Sequence, residues 1–188
     1  MKGLMNKRGA VELSISTIVI VVLAVSMLIL GLVLVRTIFK SATSVADMSD
    51  QALKDQMTQL YGDTKKVSVY PDSKLISISI KDGIGSFAIG ILNSESGSSS
   101  KLNFAYKVIV ADPDVQKKCG VSADEMLSKI IVGKSMDNIA LASGELKPFK
   151  VRFQVGSDTP ICLVRYSVQV TLNGQIYGSE EMDVDFTA

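Results

Sequence analysis

Histidine and tryptophan are absent from this 188-residue chain, and aromatic residues of all kinds make up only 6% of it. Without histidine there is no imidazole general base, no Ser-His or Cys-His nucleophile pair and no His-containing metal site. Cysteine occurs only as Cys119 and Cys162, a separation of 43 that fits no CxxC redox or zinc pattern. An excess of one charge sign is missing too. The 20 Lys and Arg are interspersed with 19 Asp and Glu, which argues against the clustered basic surface of a nucleic-acid binder. No Gly-x-Ser-x-Gly, phosphate loop or metal-ligand cluster occurs, so no catalytic residue, metal or cofactor is expected and the chain does not read as an enzyme. There is also no N-x-S/T sequon.

What the chain has in abundance is one apolar run. From Leu13 to Val35, 23 residues include 18 apolar side chains, one glycine, four hydroxyl residues and no charge. As a helix this run would be roughly 34 Å long, enough to cross a hydrocarbon core of about 30 Å with slight tilt. A cleaved secretory signal would have a shorter apolar region ending in a small-x-small site, whereas this run leaves through Val35, Arg36, Thr37, Ile38 and Phe39. The helix is therefore expected to stay in the mature protein. Lys2, Lys7 and Arg8 before it nearly balance Arg36, Lys40 and Lys54 after it. A short N-terminal tail and two cysteines suited to an oxidising exterior favour the N-terminus inside and the C-terminal domain outside.

Beyond Lys40 the helical period continues with a different character. Val45, Met48, Ala52, Leu53, Met57 and Leu60 draw one apolar stripe, and no proline occurs before Pro71. The pattern predicts an amphipathic extension reaching about Leu60, whose apolar face the following domain would cover. From Lys66 the period changes to two. Ile76, Ile78 and Ile80 alternate with serines; Phe87, Ile89 and Ile91 follow, then Phe104 to Val110, Val151 to Val155 and Cys162 to Leu172. Asn173-Gly174 supplies the positive φ angles of a type I′ turn and predicts a hairpin into Gln175 to Phe186. The expected fold class is α+β: a long N-terminal transmembrane and amphipathic helix, then an antiparallel immunoglobulin-like β-sandwich of seven or eight strands. The stretch from Asp112 to Ala142 lacks this pattern, apart from a short helix expected at Ser122 to Lys129.

Cys162 falls on the apolar face of a strand and Cys119 in the irregular stretch, so a disulfide between them would pin that stretch to the sheet. Two buried free thiols are the alternative. Asp112-Pro113-Asp114 and Asp183-Val184-Asp185 could be taken for calcium ligands, but the glycine-containing ligand run of a calcium loop is missing and solvated carboxylates are the better reading. The Ser94 to Ser100 stretch reads as an exposed loop tip.

The segment Asn6-Lys7-Arg8-Gly9-Ala10-Val11-Glu12-Leu13, running directly into the apolar helix, resembles the class III signal peptide of type IV pilins, most of all the archaeal ones. The resemblance implies cleavage between Gly9 and Ala10 by a prepilin peptidase, with the retained helix serving first as membrane anchor and then as filament core. It divides the chain into a basic leader at 1–9, a transmembrane helix with amphipathic extension at 10–61 and an extracytoplasmic β-sandwich domain at 62–188. Glu12 would be third after the cut, whereas bacterial pilins carry their acid fifth.

The function this implies is that of a structural subunit, major or minor, of a type IV pilus-like surface filament. Its partners would be the membrane, copies of itself through the N-terminal helices, and pilus assembly machinery, with no nucleic acid. Glu12 would pair with the new amino group of a neighbouring Ala10 and set subunit register, since a lone acid in an apolar setting is costly. The alternative is a non-assembling single-pass membrane protein that displays an immunoglobulin-like binding domain, with Glu12 lying harmlessly at the headgroup level.

Overall fold

A computed structural model describes residues 15–61, 65–81, 83–95 and 101–188, apart from the side chains of 34–44 and 46. The processing residues Gly9 and Ala10, the assembly residue Glu12 and most of the Ser94 to Ser100 loop lie outside the described residues. The chain divides between Ile38 and Phe39 into two compact units.

The apolar run is helical. Helix α1 (Ile15–Asp47) contains the 19-residue stretch Ile15–Val33, which is long and apolar enough to cross a membrane. Val and Ile are indifferent helix formers in water, but so apolar a run has few polar side chains to compete for its backbone, and a helix satisfies that backbone internally. The single mid-span hydroxyl follows the same rule: Ser26 Oγ donates to the Val22 carbonyl at 2.7 Å.

In the second unit the helical stretch is interrupted where a continuous helix was expected. Helix α1 ends at Asp47 and α2 (Asp50–Tyr61) begins after a break at Met48 and Ser49. Ser49 is the physical cause. Its hydroxyl accepts from the Ala52 amide at 3.2 Å and its carbonyl from the Leu53 amide at 3.0 Å, which makes it the N-cap of a new helix. The apolar stripe is partly buried: Val45, Leu53 and Met57 are enclosed, while Ala52 and Leu60 remain exposed.

Among the described residues, nine strands form two sheets around one shared core. The first sheet contains β1 (Val67–Tyr70), β3 (Ile84–Leu92), β5 (Ile130–Val132) and β7 (Leu146–Gln154) in the order β1-β3-β7-β5. The second contains β2 (Leu75–Ser79), β4 (Leu102–Val110), β6 (Ser135–Leu141), β8 (Leu163–Leu172) and β9 (Gln175–Thr187) in the order β2-β9-β8-β4-β6. Alternation decides which side chains meet between them. Phe87, Ile89, Val151 and Phe153 of the first sheet join Phe104, Val164, Tyr166 and Phe186 of the second, all at most 1% exposed.

One pairing departs from the antiparallel expectation. Strand β2 runs parallel to β9, Leu75 opposite Asp183 and Ser79 opposite Thr187. The chain from β1 to β2 crosses between the layers instead of folding back as a hairpin, and β2 completes the second sheet at an edge whose strand runs its way. The β8–β9 hairpin has the expected turn, with Asn173 at φ 51° and Gly174 at φ 80°. The irregular stretch contains helix α3 (Val115–Cys119), helix α4 (Ala123–Ser128), capped by Ser122 through the Glu125 amide, and the edge strands β5 and β6. Periodicity concealed β6 because only Ile139 and Leu141 of its seven residues are buried and Asn138 sits at φ 57°.

Tyr106 is 3% exposed, and its hydroxyl has no hydrogen-bond partner among the described residues; burial pushes its pKa up to about 12. Because an unpaired buried hydroxyl opposes folding, Tyr106→Phe is expected to leave stability unchanged or raise it by up to about 1 kcal/mol. Chemical denaturation followed by circular dichroism checks this, and a loss beyond about 1 kcal/mol would show that the hydroxyl has a partner.

Candidate functional site

The apolar side chains from Ile15 to Val33 find no cover within the first unit. Ile15 is 82% exposed, Leu30 69% and even the least exposed of the large ones, Ile18, 49%. Uncharged and closed to hydrogen bonding along its backbone, this surface suits lipid or another apolar surface better than water.

The disulfide lies at the opposite end of the sequence. Cys119 closes α3 and Cys162 immediately precedes β8, their Cα atoms 5.6 Å apart. The expected bridge is therefore present, and it ties the irregular stretch to the second sheet. Among the described residues there is no free cysteine.

Beside the bridge, the Ala111–Asp114 loop, Lys118 of α3 and strands β8 and β9 line a crevice of about 440 Å³. Its polar walls come from all three. The Asp112 carboxylate, almost wholly buried, accepts from Lys118 Nζ at 2.8 Å and from the Asp114 amide at 3.0 Å. The Lys118 ammonium holds its pKa below the usual carboxylate range, with the Asp114 amide and the charge of Arg165 adding to the effect. Across the crevice Arg165 donates to Asp183 through Nε at 2.8 Å and through a terminal nitrogen at 3.0 Å, and Glu181 lies 3.6 Å away. These acidic neighbours, Asp183 first, raise the guanidinium pKa.

The sequence places Asp112 and Asp183 far apart, as separate solvated carboxylates; the fold brings both to one crevice. Lys118 and Arg165 stand with them, so the acids are neutralised and not gathered as cation ligands. Among the described residues no three His, Cys, Asp or Glu side chains converge on a point that could hold a metal. Chemically the crevice offers paired charges, with no nucleophile set against a base. Arg165 is the residue that sequence reasoning missed. Its register opposite Asp183 depends on a bulge between Val170 and Thr171 that shifts the hairpin pairing by one residue.

No protein-family model matches the chain, and no curated protein does. Among solved structures it is similar to the alkylpurine DNA glycosylase AlkC of Pseudomonas fluorescens, at 15% identity and a TM-score of 0.33 over 71% of this chain and 36% of that one. A family 123 glycoside hydrolase from Clostridium perfringens is similar at 10% identity and 0.37, over 73% of this chain and 24% of that one. MyfA, the major subunit of Myf fimbriae from Yersinia enterocolitica, is similar at 13% identity and 0.26, over 56% and 84%. The chain thus spans about a third or less of the length of the two enzymes. At TM-scores this low, none of the three assigns a fold family or an activity to it.

Proposed function

We propose that this chain is a structural subunit, major or minor, of a type IV pilus-like surface filament of the archaeal kind, anchored in the membrane by its N-terminal helix before assembly. The observation that carries the reading is the uncovered apolar helix Ile15–Val33 ahead of a β-rich unit with a closed core of its own. Such a surface needs lipid first and can exchange it for the helices of other copies. The Lys7-Arg8-Gly9-Ala10-Val11-Glu12 segment favours the filament over a plain anchor, as the substrate of a prepilin peptidase acting at residues 9 and 10. In this reading 1–9 is a class III leader, 10–61 the helical part and 62–188 the displayed domain. The N-terminus lies inside and the domain outside, as the Cys119–Cys162 bridge favours. We read the displayed domain as immunoglobulin-like, a reading supported by two sheets on one core and the β8–β9 hairpin, with the parallel entry of β2 as a variation at one edge.

N-terminal sequencing of the membrane-extracted protein tests this. The mature chain is expected to begin at Ala10, and Gly9→Leu to block that cut. Glu12→Gln should leave insertion and processing intact but lower the assembled fraction about tenfold, since a charge paired in an apolar setting has been removed. A mature chain that retains Met1 or Lys2, together with wild-type sedimentation of the Glu12→Gln variant, would identify a non-assembling single-pass protein instead.

A further inference from the structure

Helix α2 lies on the outer face of the first sheet, and its buried contacts form a cluster separate from the core between the sheets. Leu53 and Met57 of α2, with Val45 from the end of α1, close on Ala88, flanked by Met48, Tyr70 and Leu146. The sheet is shaped for this. At Gly90 a methyl group would come within 2.5 Å of Ser68 Oγ and 3.0 Å of Met57 Sδ, so bare backbone lets the helix approach. Strand β3, directly beneath, does not depend on α2 for its own place: it is hydrogen-bonded to β1 on one side and β7 on the other, and Phe87, Ile89 and Ile91 face the main core.

At the other end of this contact, the break at Met48 and Ser49 leaves a helix-terminal carbonyl without an intrahelical partner. Lys150 of β7 takes it up. Its ammonium donates to the Met48 carbonyl and lies 3.6 Å from the Asp50 carboxylate, so one cation joins the end of α1 to the first residue of α2. A 12-residue helix such as α2 is marginal in water by itself, so once lifted from the sheet it melts.

We propose that α2 is a releasable strap. It opens as a unit from the first sheet while the two-sheet core stays folded, with Lys150 as the latch. Opening frees the twelve residues of α2 and uncovers Gly90, against which Met57 packs, while Val45 of α1 stays on the sheet. The device holds whether or not the chain assembles into a filament.

Hydrogen exchange of the full chain in detergent micelles, read by mass spectrometry, tests it. Peptides from α2 are expected to exchange at least about 100-fold faster than peptides from β8, the mark of a sub-global opening. Lys150→Met should accelerate α2 about tenfold further and leave β8 unchanged, with Lys150→Arg restoring most of the protection, because a charged donor to the Met48 carbonyl is lost and regained. Ser49→Ala, which removes only the cap, should act in the same direction. Exchange of α2 and β8 at one common rate, or equal acceleration of both by Lys150→Met, would overturn the strap. An α2 rate unmoved by Lys150→Met would overturn the latch.

Discussion

Replacing Cys119 and Cys162 together by serine is expected to lower stability by about 3–4 kcal/mol, with Tm falling by roughly 10 °C or more. The bridge closes a loop of 43 residues, a long one, and so restricts the unfolded chain strongly. What it closes also matters. The loop contains α4 and the edge strands β5 and β6, the elements with the least regular pattern, followed by β7 in the interior of the first sheet. Local damage should therefore concentrate between Ala111 and Leu141, where limited proteolysis would find new sites, while β3 and β7 retain theirs. Dithiothreitol applied to the native protein should reproduce the loss. A double-serine protein that melts within about 1 °C of the parent would mean that the bridge contributes nothing in solution.

Phe153→Ala is expected to be as damaging, at about 3–5 kcal/mol. Phe153 is fully buried on β7, where its ring lies 5.3 Å from Tyr166, 6.0 Å from Phe87 and 6.2 Å from Phe186. Those neighbours come from three other strands and both sheets, so the cavity cannot be filled by the shift of one element. Chemical denaturation measures the loss. Phe153→Leu, which leaves less space, should cost less than half as much; equal losses for the two would point to the ring contacts as the source instead of the cavity.

The apolar helix is legible because length, apolarity and absence of charge need no tertiary context. The hairpin is legible because Asn173-Gly174 admits a conformation that few other pairs adopt. The charged crevice is not, and Arg165 shows why. Counting outward from the turn pairs Leu172 with Gln175 and would set Arg165 opposite Met182, whereas burial of Val164, Tyr166, Met182 and Val184 on one face requires Arg165 to face Asp183. The two registers differ by one residue, and only a bulge reconciles them. The conflict is visible in the alternation, although its place along the strands is not. The break before α2 has a different origin. Ser49 is a residue type found inside helices as well as at their caps, and nothing near it in sequence marks Lys150 as the group that receives the Met48 carbonyl left free by the break.

The edge strands β5 and β6 bear on how this protein behaves when many copies are crowded together. Strand β5 has three residues, and β6 is bent by Asn138 in a left-handed conformation, flanked by Asp137. A foreign strand laid along either would find a template too short or too crooked to continue a ladder, despite the exposed Ile131 and Val132. In the proposed filament, where copies pack closely, long flat margins would invite amyloid-like growth. The other two margins, the four-residue β1 and the five-residue β2, are short as well, so ordered association of the kind proposed would rest on surfaces other than sheet edges.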